Sequence, residues 1–413
     1  MSNQPPLVRI CYVLSHFHPH ASGAERQALA QGAELVRRGH QVRVVTRSVA
    51  GCPRDETIEG VRVHRWVRTS SLGPLFGLSF VLGVIRSLRR LRPEYDLIHT
   101  HQGLWEAIST GVGRPWLSGA PVLVQPASSG YYGEAEELSR TRGFPILRRA
   151  ILRNPSFAAI SADIEAQWLA LGVPPDRMVR MASGVDADHF RPGPADPAIE
   201  ALLPARPRVV FTGRLHPQKN LGLLLDAWPE VAMATGASLV LVGQGEERDA
   251  LLARAATLGI ADRVHLAGGV ADPSGYLRAA DAFALPSLAE GMSNSLLEAM
   301  ATGLPCLATA IGGNTDLLSA GPAGLLLPGD DPGAWSAALI RVLTDPALAR
   351  DLGSRARGRV EAEFSLAAVV TRYQALYRSL SGREPGTGRP QDIHPSRTDR
   401  HDPNNPRLRR QST

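Results

Sequence analysis

Two short stretches carry charge where charge could do chemistry. "GRLHPQKN", residues 213–220, sets Arg214 and Lys219 between an apolar run ending at Thr212 and a helical pattern beginning near Asn220. "LPSLAEGMSNSLLEAMATGLP", residues 285–305, sets Glu290 and Glu298 around the start of a second helix. Of the 45 lysines and arginines in the chain, Lys219 is the one lysine. A compact ammonium suits a place where one point charge meets a phosphate. Chance is the competing explanation. Two cations beside a helix N-terminus make an anion site, and a solvated basic loop is the alternative. In the second stretch the amides of Asn294 and Ser295 are unpaired at a helix start and free to hold a phosphate. Ser295-x-x-Glu298 also reads as a capping box, and Glu290 as an exposed loop carboxylate.

Such loops need rigid supports. Apolar runs at Val8–Leu14, Gln41–Thr46, Tyr95–His99, Val122–Gln125 and Phe157–Ser161 read as strands, with helical patterns such as Ala24–Arg38 and Leu75–Leu91 between them. A second series follows at Val209–Thr212, Leu239–Val242, Val264–Ala267, Ala282–Leu285 and Cys306–Thr309. This alternation predicts α/β architecture: two Rossmann-like, doubly wound parallel-sheet domains facing a cleft. The organisation expected is an acceptor-side domain over 1–190, a linker over 191–207, a donor domain over 208–360, closing helices over 361–381 packing back on the first domain, and a disordered basic tail over 382–413. The stretch 190–207 holds five prolines, the composition of a hinge. Ligands of such sheets sit at the carboxyl ends of the strands, which places the site in the cleft.

Composition narrows the class. With 413 residues, 44% apolar and 20% charged, the chain has material for two cores. The net charge is +6, and the tail from residue 382 holds seven arginines against four acids. The tail has no aromatic residue for base stacking, so nucleic acid is not an expected partner. Cys11, Cys52 and Cys306 share no metal-ligand spacing, and no signal peptide precedes "VRICYVL". A cytoplasmic location with reduced thiols is expected. Residues 140–153, "RTRGFPILRRAILR", interleave five arginines with apolar side chains, and Arg86, Arg89, Arg90 and Arg92 form a second basic cluster. Docking on an anionic membrane and an ordinary amphipathic helix are the two readings.

Glu290 and Glu298 stand as E-x7-E in "EGMSNSLLEAMATGLP". With "GRLHPQKN", "GVDADHF", "YDLIHTHQG" and "GAERQALAQGAELVRRGHQVRVVT", the chain resembles the retaining glycosyltransferases of family four, of B-type (GT-B) fold, up to about Leu380. The resemblance implies a nucleotide diphosphate sugar as co-substrate, no other cofactor, no metal, and a saccharide, lipid-linked or small-molecule acceptor. Exopolysaccharide or glycolipid assembly is the implied setting. Arg214 and Lys219 would bind the diphosphate, with Gly213 in the turn before them. Glu290 would bind hydroxyls of the transferred sugar and Glu298 the ribose. Backbone at Gly291, Met292, Ser293, Asn294 and Ser295 would meet sugar and phosphates, and Gly269 and Val270 the base. Gly23 matches the glycine-rich loop near the phosphates, and His101 the histidine beneath the donor sugar. His99 is read as structural.

Asp186-Ala187-Asp188 has the D-x-D form of a metal site but lies in a family turn that binds none. Ser22 stands where the family usually has a second glycine, and Ser183 where it often has asparagine before "GVD". Rival readings are a nucleotide-sugar epimerase or hydrolase on the same fold, a non-catalytic nucleotide-sugar-binding protein, and a nicotinamide oxidoreductase. The last is disfavoured because the first strand-turn lacks G-x-G-x-x-G.

Overall fold

The computed structural model describes residues 7–19, 22–130, 133–319 and 321–382. The tail expected to be disordered lies outside them, Gly382 excepted. Two sheets organise the chain. The first comprises β1 (Arg9–Val13), β2 (Gln41–Arg47), β3 (Asp55–Ile58), β4 (Val61–Val67), β5 (Leu97–Thr100), β6 (Val122–Val124), β7 (Ser156–Ala159) and β8 (Met178–Arg180). Its strand order is β3-β4-β2-β1-β5-β6-β7-β8. The second comprises β9 (Arg208–Thr212), β10 (Ser238–Val242), β11 (Val264–Gly268), β12 (Ala282–Leu285), β13 (Cys306–Thr309) and β14 (Leu325–Leu327), in the order β11-β10-β9-β12-β13-β14.

The central strands are predominantly apolar because helices cover both faces. β9, β10, β12 and β13 are buried at every residue. Each sheet reverses its strand order beside its first strand, so crevices open at the carboxyl ends of β1 and β9.

Four strands were not among those expected from sequence: β3, β4, β8 and β14. Among the described residues β3 and β4 form the one antiparallel pair, turning at Glu59 and Gly60, both with positive φ. That is the two-residue geometry that matches strand twist. Val61, Val63, Arg65 and Val67 of β4 alternate inward. β8 likewise escaped notice, because Met178–Arg180 is short and only half-buried.

The prolines of 190–207 surround a single helical turn, Pro197–Glu200, capped by Asp196. Glu200 and Asp281 pair with Arg206, tying this stretch to the second sheet's base. The final helix, Leu366–Leu380, packs on the first domain's helix Gly23–Arg37. Arg38 Nη1 donates to Thr371 Oγ1 and Gln374 Oε1 at 2.8 Å each, and Tyr377 Oη meets His99 Nδ1 at 2.7 Å. Over the described residues the chain therefore crosses between the domains twice.

Candidate active site

At the carboxyl end of β9 the backbone turns through Gly213, with φ 152°. Gly213 N–H donates to Val242 O at 2.9 Å, and a Cβ on Gly243 would lie 1.7 Å from Gly213 O. Only glycine at 243 allows the β9 and β10 loops to touch. The chain then makes a tight turn, Pro217–Lys219, and passes through left-handed Asn220 into the helix Leu221–Thr235. Two bonds stitch this turn to the loop after β12: Leu288 N–H to Gln218 O and Gln218 Nε2 to Ala289 O, both 2.8 Å. They set Lys219 Nζ 2.5 Å from Glu290 Oε1, which also accepts from Ser287 Oγ at 2.7 Å. Arg214 is exposed and lines the same cavity, with no ion pair among the described residues.

The helix Asn294–Ala301 begins one step further on. Its cap is Ser293, whose hydroxyl accepts from Leu296 N–H. The capping box expected at Ser295 and Glu298 is thus not formed: Ser293 takes the cap, Ser295 lies inside the first turn, and Glu298 is two residues too late to close a box with Ser293. The Glu298 carboxyl is buried and faces Arg26 of the first domain at 3.6 Å. Burial pushes it up to about 7, with Arg26 opposing that shift. At the helix's other end Arg357 Nη1 donates to Ala301 O at 2.7 Å, a cation where the macrodipole favours one.

The first domain supplies the opposite wall. Asn294 Nδ2 donates to Gly23 O at 3.0 Å, and Asn294 Oδ1 accepts from Gln27 Nε2 at 2.9 Å. Gln27 also exchanges bonds with the Gly184 backbone. Ser129 Oγ donates to Glu290 O at 2.7 Å. A Cβ on Gly291 would lie 2.1 Å from Ala127 O, so the walls approach at backbone distance there. The cavity between them has a volume of about 1090 Å³. His101 is buried at its floor, its ring 4.3 Å from Tyr12 and 4.1 Å from His99. Neither His101 ring nitrogen has a partner among the described residues, and burial pushes the imidazole down to about 3. His101 is therefore a neutral group with unspent hydrogen-bonding capacity facing the cavity.

Family comparison agrees with this two-walled cavity. Residues 22–184 match the glycosyl transferase 4-like domain, and residues 206–345 match glycosyl transferases group 1. The chain belongs to the family-four glycosyltransferases. The D-inositol 3-phosphate glycosyltransferase of Rhodococcus opacus is 31% identical over 376 residues, covering 83% of this chain and 82% of that one. The Mycolicibacterium smegmatis protein of the same name is 29% identical, covering 87% of each. Among solved structures, sucrose-phosphate synthase from Thermosynechococcus elongatus superposes with a TM-score of 0.76 at 26% identity, covering 91% of this chain and all of that one. Anabaena HepE in complex with UDP-glucose superposes with a TM-score of 0.72 at 18% identity, over 90% of this chain and all of that one. The chain has the GT-B fold.

In this glycosyltransferase every residue singled out from sequence for the donor lines the one cavity: Gly23, His101, Gly213, Arg214, Lys219, Gly269, Val270, Glu290, Gly291, Met292, Ser293, Asn294, Ser295 and Glu298. Asp186 and Asp188 do not join them. Asp186 Oδ1 accepts from the Asp188 and His189 amides at 3.1 and 3.0 Å, so it serves as a turn cap. No group of three or more His, Cys, Asp or Glu that could hold a metal occurs among the described residues. Nor is any helix among them long and apolar enough to cross a membrane.

The basic stretch 140–153 forms the short helix Phe144–Ile151, which buries Ala150 and Ile151 and leaves Phe144 and Leu147 half-buried. Arg148 is held on Leu171 O, and Ile146 is its one large apolar side chain left outward. Arg26 and Gln27, which bridge the walls, were not singled out from sequence. Ordinary helix-surface residues carry no mark of a partner some 270 positions away.

Proposed function

We propose that the protein transfers a sugar from a nucleoside diphosphate sugar to an acceptor hydroxyl with retention of anomeric configuration and without a metal. The observation that carries this reading is Lys219 Nζ on the buried Glu290 carboxylate, in the cavity that Arg214 and the start of helix Asn294–Ala301 also line. Breaking the bond from the sugar's anomeric carbon to the diphosphate leaves negative charge on the leaving oxygen. Arg214, Lys219 and the Asn294 and Ser295 amides would meet that charge as it develops. Glu290 would accept from hydroxyls of the transferred sugar while fixing the Lys219 ammonium. Glu298 would accept from the ribose, and His101 would present a neutral ring to the sugar's lower face.

The acceptor oxygen bonds to the anomeric carbon on the face the diphosphate leaves. Its proton passes to the leaving phosphate oxygen, so no protein base is required. UDP-glucose in HepE and D-inositol 3-phosphate in the relatives' names support a nucleotide-sugar donor and a hydroxyl acceptor. A role in cell-envelope or exopolysaccharide assembly at the cytoplasmic side fits these substrates. The test is the anomeric configuration of the first product formed in EDTA, read by proton NMR. Retained configuration supports the proposal; inversion, or no transfer until a divalent metal is restored, overturns it.

A further inference from the structure

The helix Gly73–Arg90, between β4 and β5, turns an apolar face to solvent. Leu72, just before it, and Leu75, Leu78 and Leu82 within it are 64%, 48%, 58% and 58% exposed. Spacings of three, three and four residues set them in one stripe. Arg86 and Arg89 continue the same face, exposed. The outward side of this helix is thus leucine for most of its length and arginine at its end. The helix contains no acidic residue, and neither Arg86 nor Arg89 has an ion pair among the described residues. Single exposed leucines are ordinary, but leucines in register ending in unpaired cations are a surface that lacks its partner.

We propose that this stripe docks on an anionic lipid bilayer, with the leucines entering the headgroup–acyl boundary and Arg86 and Arg89 on lipid phosphates. The acceptor is then a hydroxyl carried at the membrane surface, a choice that rests on the transferase reading above; the docking itself does not.

Placement supports this occupant. β4 runs parallel to β2, and β2 to β1, so β4 ends on the cleft side of the sheet and the helix starts there. Its leucines therefore lie nearest the cleft, and its arginines at the far end of a helix about 27 Å long. A Cβ on Gly77 would lie 2.3 Å from the Trp105 ring, which seats the leucine half against the segment just after cavity-lining Gln102. Exposed Arg68 adds a cation ahead of Leu72.

Charge decides among occupants. A second copy docked through the same stripe would bring leucines and arginines with no acid to pair them. Four partly exposed leucines also fall well short of the ~800 Å² per partner of a standard interface. The chain's own residues 383–413 hold seven arginines and only Ile393 and Leu408 as large apolar side chains, so they offer neither the charge nor the apolar cover. A bilayer containing acidic lipid supplies both.

The test is flotation of the full-length protein, without nucleotide, on vesicles of phosphatidylcholine alone or mixed with phosphatidylglycerol. The proposal expects flotation with the acidic vesicles, weakened by salt. Arg86→Gln/Arg89→Gln should lower partitioning about 10-fold or more. Leu75→Ser/Leu78→Ser/Leu82→Ser should abolish it while leaving calorimetric binding of nucleoside diphosphate unchanged. No flotation of the unaltered protein, or unaltered flotation of the leucine variant, overturns it. So does a dimer by light scattering that the leucine variant dissolves, which would assign the stripe to a second copy. Flotation without nucleotide binding would instead refute the transferase reading and leave the docking surface standing.

Discussion

Lys219 and Glu290, 71 residues apart in the chain, meet at 2.5 Å between Nζ and Oε1, with Ser287 Oγ on the same carboxylate oxygen. Neither partner is replaceable alone. Lys219→Ala removes the point charge offered to the diphosphate and should lower turnover by ~10²–10³. Lys219→Arg should recover only part of this, because a planar fork does not fit a point-charge site. The double variant Lys219→Ala/Glu290→Gln should cost much less than the product of the single losses. Steady-state kinetics of the four proteins checks this, and strictly multiplicative losses would separate the two residues functionally.

Glu298 gives a pH dependence of known sign. Its carboxyl, pushed up to about 7 by burial, lies above the ~4.3 of a free glutamate. Between those values the folded protein holds a proton that the unfolded chain has released. The contribution of Glu298 to stability is therefore full below about 4.3, falls as pH rises, and is lost above about 7. Glu106, also pushed up to about 7 by burial, titrates in the same window. The useful quantity is consequently the difference between the protein and Glu298→Gln in urea midpoints at acid and alkaline pH. The variant should gain relative stability as pH rises through that window.

At Gly291 the two walls meet backbone to backbone. Gly291→Ala would set a methyl 2.1 Å from Ala127 O, and backbone cannot swing aside as a side chain can. The domains should be held apart with each sheet intact. We expect kcat/KM to fall about 10²-fold, the scale of a misplacement of about 1 Å, with unchanged circular dichroism and a larger radius by X-ray scattering. Unimpaired kcat/KM would show that this approach is not used in catalysis.

Arg357, just before the second crossing between the domains, ties the start of the first crossing to the site helix. Its Nη1 donates to Ala187 O, Phe190 O and Ala301 O at 2.8, 2.8 and 2.7 Å. Arg357→Ala leaves these carbonyls without a charged donor and should cost about 2 kcal/mol, read as a lower urea midpoint. Lysine, with one ammonium for the three, should restore part of it.

The legible parts of the sequence were those whose signal is local. Strands such as Val209–Thr212 and Ala282–Leu285 are continuous apolar runs closed by glycine or proline, and a buried parallel strand needs nothing more. Gly213 was visible because the backbone must turn there, and Gly269 through the family resemblance. What stayed hidden depended on contacts across the fold. The Lys219–Glu290 pair and the Gln27–Asn294 bridge join residues from different βα units, and no spacing in the chain encodes their distance. The choice of Ser293 over Ser295 as cap was equally hidden, because both are good cap residues and the loop after β12 decides between them. The basic helix Phe144–Ile151 drew attention for its arginines, whereas the leucine face of Gly73–Arg90 was not singled out. Periodicity shows that a helix has an apolar stripe; on a helix apolar nearly all round it does not show which side the protein covers.

The most direct test of the account is calorimetric titration of UDP, GDP and ADP into the protein and into Lys219→Ala, all in EDTA. The account predicts that one of these diphosphates binds without metal and that the variant binds it at least tenfold more weakly. No binding of any of them, binding that returns only with magnesium, or equal affinity in the two proteins would contradict it.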